Sequence, residues 1–108
     1  MSNINKISNK NICLIGLMGS GKTMIGKNLS RVLKRKHIDT DKVIENRYKK
    51  TISNIFENHG ETYFRQIEEK IVKEVLKKKN YVVSLGGGSV LSKNVRELLK
   101  KKKYYYLS

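Results

Sequence analysis

The stretch Asn11-Ile12-Cys13-Leu14-Ile15-Gly16-Leu17-Met18-Gly19-Ser20-Gly21-Lys22-Thr23 decides the fold. Its first five residues form a short apolar run that stops at a glycine, which predicts a buried strand. Gly16 to Thr23 then matches G-x-x-x-x-G-K-[ST] at every fixed position. From Lys22 to Lys36, Ile25, Leu29, Val32 and Leu33 recur at helical spacing and predict one apolar stripe of an amphipathic helix. Strand, glycine loop and helix in that order make a phosphate cradle. Glycines let backbone N–H groups turn inward and approach phosphate oxygens closely. The helix N-terminus adds its positive dipole end. Lys22 is placed to reach β- and γ-phosphates, and Thr23 offers a hydroxyl to Mg²⁺. Kinases, nucleotide hydrolases and nucleotide switches all use such a loop, so the acceptor must be read elsewhere.

Working outward, His37-Ile38-Asp39 reads as a second strand, and Asp41 to Tyr48 as a helix with Thr40 as its N-cap. Ser53 to Asn58 reads as a short helical segment. Gly60 interrupts, and Glu61 to Lys79 is the longest helix, with Phe64, Ile67, Ile71 and Val75 as its stripe and Val72 and Leu76 widening it. Asn80 ends that helix. Tyr81 to Leu85 is β-branched and aromatic, a third strand, and Gly86-Gly87-Gly88 follows at once. Ser92 caps a last helix to Lys102, with Val95, Leu98 and Leu99 on its apolar side, and Tyr104 to Leu107 reads as a fourth strand. The alternation predicts an α/β fold, a parallel sheet with helices on both faces in three layers. Residues 1–10 are polar and expected to fray, leaving residues 11–108 as the domain.

In an open parallel sheet, ligands collect at the carboxyl ends of the strands. That places Asp39 and Asp41, just after the second strand, on the edge that holds the phosphate loop. One carboxylate there can hold Mg²⁺ through water; another can accept a hydrogen bond from a sugar-like hydroxyl and draw its proton. Capping of the next helix explains aspartates at this place equally well. Gly86-Gly87-Gly88 opens on the same edge. Either a ligand approaches its backbone closely, or the turn needs positive φ angles. Arg65 either pairs with Glu61 or Glu68 on its own helix or reaches the site and clamps a carboxylate bidentately.

With 108 residues and 12.5 kDa the chain has room for one small domain. No apolar run approaches the roughly 20 residues of a membrane span. Met1 to Lys10 has no apolar signal-peptide core, and a single cysteine, Cys13, excludes an internal disulfide framework, so the expected compartment is the reducing cytoplasm. The net charge is +15, yet the chain has no Ala, Pro or Trp and is rich in Lys, Asn, Ile and Tyr. Those are residues of A/T-heavy codons, so nucleotide bias alone can supply most of the lysine excess. Aromatics interleaved with the basic residues are missing outside Tyr104-Tyr105-Tyr106. The charge is therefore expected to mark no specific nucleic-acid partner and no membrane.

Taken together, these residues resemble the shikimate kinase family. The pieces are the loop 16–23, Ile38-Asp39-Thr40-Asp41, Ile52 to Glu57, Gly60-Glu61 with Phe64-Arg65 and Glu68, and Gly86-Gly87-Gly88-Ser89-Val90-Leu91. The resemblance implies the P-loop topology of nucleoside monophosphate kinases and transfer of the ATP γ-phosphoryl to the 3-hydroxyl of shikimate, on the route to chorismate and aromatic amino acids. It implies ATP binding by Gly19, Ser20, Gly21, Lys22, Thr23 and Met24, with Mg²⁺ served by Thr23 and Asp39. Lys22 and Asp41 become the catalytic residues. Asp41 holds shikimate hydroxyls, Arg65 its carboxylate, and Gly87 and Gly88 lie against its ring. A monomer is expected.

Small departures are Met24, where a hydroxyl residue is common, His37 for an aromatic, and Lys49 for a glycine. The large one is length: the family continues with a lid carrying an arginine, a further strand, a second carboxylate-binding arginine and an adenine-contacting segment. The expectation is a truncated or frameshifted product, or a fragment of a larger chain, with low activity alone. A gluconate-kinase-like enzyme and a nonenzymatic nucleotide-binding remnant are the competing readings.

Overall fold

The computed structural model describes residues 11–15, 20–102 and 105–107, with side chains described from Asn11 to Ile15 and from Met24 to Lys100. The elements are β1 (Ile12–Leu14), α1 (Ser20–Leu33), β2 (Lys36–Asp39), α2 (Thr40–Tyr48), α3 (Ile52–Val75), β3 (Tyr81–Ser84), a 3₁₀ turn (Ser89–Leu91), α4 (Lys93–Lys102) and β4 (Tyr105–Leu107). All strand pairs are parallel, in the order β2-β3-β1-β4. The expected loop residues 16–19 and the expected frayed segment 1–10 lie outside the described residues.

Register explains the three layers. Ile12, Val82 and His37 share one rung, Cys13, Val83 and Ile38 the next, and Leu14, Ser84 and Asp39 the third. Successive side chains alternate faces. Cys13, Val83 and Leu85 therefore join Ile44, Ile55, Phe64, Ile67, Ile71, Val75, Val95 and Leu99 in one core beneath α2, α3 and α4. Val82 and Ser84 point the other way, towards α1. The α3 stripe is buried as its spacing predicts, and so are Val95 and Leu99 of α4.

The face of α1 departs from expectation. Ile25 is 43% and Val32 75% exposed, while Gly26 and Ser30 are buried. A Cβ on Gly26 would lie 2.8 Å from both Ser84 Oγ and His37 Cδ2, so the helix seats on the sheet through its small residues. Each helical step turns about 100°, which carries Ile25 and Val32 off that line. The helix also stops at Leu33, three residues early, because Lys34 turns into the left-handed region at φ 56°.

Two further boundaries move for local reasons. The N-cap of α2 is Asp39, not Thr40: the Asp39 Oδ1 accepts from the Asp41 and Lys42 backbone N–H groups at 2.9 and 3.4 Å. The expected short helix and long helix are one segment, Ile52–Val75, kinked at Gly60, whose φ 85° and ψ 172° suit only glycine. That segment ends at Val75 rather than Lys79. Turn bonds from Lys77 and Lys78 to Glu74 and Val75, and Asn80 at φ 65°, complete the reversal into β3. Buried Asn11 ties β1 to this reversal, donating to the Lys78 carbonyl at 2.8 Å and accepting from Tyr81 N–H at 2.9 Å.

Candidate active site

Because all four described strands run the same way, their carboxyl ends open on one edge, and α1 and α2 both begin there. Ser20 to Thr23 form the first turn of α1, the dipole end that the phosphate-loop pattern requires. The side chains of Lys22 and Thr23 lie outside the described ones. Met24, the next residue of α1, is exposed.

Thr40 closes this edge, and its sequence reading as a cap missed that role. It is fully buried; its hydroxyl accepts from Gly86 N–H at 3.0 Å and donates to the Ser84 carbonyl at 3.4 Å. With Leu85 N–H on the Leu14 carbonyl at 3.0 Å, it extends β3 pairing to the start of the glycine loop. Gly86 then accepts from both the backbone N–H and the hydroxyl of Ser89, which turns the chain into the 3₁₀ segment.

The triple glycine serves close approach, not left-handed geometry: among the described glycines only Gly60 has a positive φ. A Cβ on Gly86 would sit 2.5 Å from Asp41 Oδ1 and 2.8 Å from Glu68 Oε2. One on Gly88 would sit 2.6 Å from Arg65 Nη1 and 2.7 Å from its Cζ. A Cβ on Gly87 would meet nothing within 4 Å. Asp41, Glu68, Arg65 and the loop are thereby gathered in one place, and Gly87 faces open space beside them.

Arg65 combines the two readings open at the sequence level. It pairs on its own helix with Glu68 at 2.7 Å, and its Nε lies 3.5 Å from Glu61 Oε2. Its guanidinium carbon stands 5.3 and 5.8 Å from the ring centroids of Phe64 and Phe56. It also reaches the glycine loop. Glu68 is 2% exposed, a buried carboxylate held by that arginine. The legible signal for it is the Arg–Glu spacing of three residues; its burial comes only from the packing of α3 on the sheet. A cavity of about 420 Å³ opens on another flank of Arg65, lined among others by Glu61, Gln66, Glu69 and Leu91. Asp41 and the glycines do not line it.

Asp39 points its carboxylate into the α2 cap, so the capping reading is realised. Among the described residues no group of three or more His, Cys, Asp or Glu is placed to hold a metal. Mg²⁺ does not demand one, since it keeps several waters and binds through one or two carboxylates plus phosphates. A carboxylate and a helix N-terminus on one strand edge fit that need. Cys13 takes no part: burial pushes its thiol up to about 12.

A family model described as shikimate kinase matches residues 18–108. The chain belongs to the shikimate kinase family. It is 46% identical over 99 residues to the shikimate kinase of Caldicellulosiruptor bescii, covering 91% of this chain and 58% of that one. It is 53% identical over 81 residues to that of Azobacteroides pseudotrichonymphae, covering 74% and 48%. Among solved structures, shikimate kinase from Acinetobacter baumannii in complex with shikimate superposes with a TM-score of 0.82 at 39% identity, covering 87% of this chain and 52% of that one. The P-loop α/β architecture expected from the sequence is thus the family's own. The chain spans about half the length of the curated relatives it matches. Among the described residues, no helix is long and apolar enough to cross a membrane.

Proposed function

We propose that these residues form the phosphate-loop and acceptor-binding part of a shikimate kinase, which moves the ATP γ-phosphoryl to the 3-hydroxyl of shikimate. The observation that carries this reading is the gathering of Arg65, Asp41 and the Gly86–Gly88 backbone beside the strand edge where α1 begins. An arginine fork suits a carboxylate, an aspartate suits vicinal hydroxyls, and a bare glycine backbone admits a flat ring.

In the reaction the acceptor hydroxyl oxygen bonds to the γ-phosphorus, the bond to the β–γ bridging oxygen breaks, and ADP leaves. The acceptor proton passes to a base. Asp41 orients the hydroxyl and is the group placed to take that proton. Gly19, Ser20, Gly21, Lys22, Thr23 and Met24 line the nucleotide, with Lys22 and the loop amides on its phosphates. Arg65 fixes the acid end of shikimate, and Gly87 and Gly88 border the ring. Thr23 and Asp39 would hold Mg²⁺, which would supply neutralisation of the phosphate charge. The working unit is a monomer in the cytoplasm, a compartment in keeping with a lone, buried Cys13.

The test measures shikimate-dependent ADP release, with gluconate as the competing acceptor. The chain extended by a relative's C-terminal segment is expected to turn over shikimate and not gluconate. Turnover of gluconate alone would transfer the site to the other sugar-acid kinases.

A further inference from the structure

Arg65 carries two glutamates that hold it in different ways. Glu68 is buried and bonds Nη1 at 2.7 Å. Glu61 is 62% exposed, and its Oε2 stands 3.5 Å from Nε. That Nε is buried and has no hydrogen-bond partner among the described residues. Nη2 lies against Gly88. The Nε side of the guanidinium, one of the edges a carboxylate can grip with two parallel bonds, is thus covered by a carboxylate that does not bond it.

We propose that Glu61 opposes the binding of a carboxylate ligand at Arg65. Glu68 bonds Nη1 on the other side of the guanidinium and serves as the reference. Glu61 is a placeholder that an incoming carboxylate displaces from Nε. The cavity beside Arg65, which Glu61 itself lines, gives the displaced side chain somewhere to go. This rests on the reading that Arg65 receives the acid group of shikimate. It goes beyond that reading in assigning a competing role to a residue that would otherwise count as a simple helix-face partner. The electrostatics agree: a free carboxylate beside the binding atom repels the ligand's own charge, and an exposed pair of this kind is weak enough to exchange.

The experiment titrates the 108-residue chain calorimetrically with shikimate and with its uncharged methyl ester. Glu61→Gln keeps the size and removes the charge. It is expected to tighten shikimate binding about two- to five-fold, the range of an exposed ion pair, and to leave the ester unchanged. Glu68→Gln, the reference, is expected to weaken shikimate binding about tenfold or more. Weaker or equal shikimate binding by Glu61→Gln, or an equal response of acid and ester, would overturn the proposal. Glu61 is exposed, so that arm decides the matter even where Glu68→Gln fails to fold. If parent and variants all fail to bind shikimate, the functional reading falls, and the placeholder with it.

Discussion

Replacing Arg65 by lysine keeps the positive charge and removes the planar fork. An ammonium cannot hold Glu68 and a ligand carboxylate in the same plane, so Arg65→Lys is expected to weaken shikimate binding about tenfold or more, the worth of one charge-assisted hydrogen bond. Calorimetry beside the parent checks it, and equal affinity would return Arg65 to a purely structural ion pair. Lys22→Ala acts on the other substrate. It is expected to weaken Mg-ATP binding in a nucleotide titration, with chemical denaturation of the variant as the folding control. Cys13 gives a pH signature of a different kind. Its thiol is raised from 9.0 to about 12 by burial, so the folded chain holds a proton that the unfolded chain releases. Its contribution is full below pH 9 and is lost as the pH rises towards 12. Denaturant titrations should show a steeper alkaline loss of stability in the parent than in Cys13→Ala, and the native thiol should resist alkylation.

Among elements, the strap from α2 to the glycine loop and the seat of α1 are the points of least tolerance. Thr40→Val keeps the shape and leaves the Gly86 N–H buried without its partner. The expected cost is about 1–3 kcal/mol, against about 1 kcal/mol for loss of the Asp39 cap in Asp39→Ala. Chemical denaturation of both variants ranks them, and a larger loss at Asp39 would contradict the strap. Gly26→Ala pushes a methyl into His37 and Ser84, which are themselves joined at 2.8 Å. It should destabilise by about 1–3 kcal/mol, the cost of overpacking. The periodicity of α3 was legible because Phe64, Ile67, Ile71, Val72 and Val75 lie on one buried stripe after Gly60. The seat of α1 was not, because a glycine that permits close approach leaves no hydrophobic mark in a helical pattern. Thr40 was misread for a related reason. Ser, Thr and Asp all cap helices, and choosing between Asp39 and Thr40 depends on where β2 delivers each side chain.

For the whole molecule, phosphoryl transfer is mostly positioning and charge stabilisation, and loss of one transition-state arginine costs roughly 10³- to 10⁵-fold. The 108 residues by themselves are therefore expected to release ADP with shikimate far more slowly than the same chain extended by a relative's C-terminal segment. Comparable rates would show that these residues suffice. The net charge of +15 should give sequence-blind binding to polyanions that fades with added salt. A sequence-preferring complex at physiological salt would contradict the compositional reading of the lysines. What the sequence by itself determined was the order of strands and helices, the phosphate loop, and the short list Asp39, Asp41, Arg65 and Gly86–Gly88. Those are local signals: spacing, apolar period and glycine punctuation act within a few residues of one another. Only the tertiary structure decided which members of that list meet. Asp39 turns to its own helix, whereas Asp41, Glu68 and Arg65 converge on the glycine loop. The physical reason is that a parallel sheet brings the ends of β2 and β3 side by side although 45 residues separate Asp39 from its register partner Ser84. The burial of Glu68 and the bare backbone beside it follow from that meeting, and no local pattern carries them.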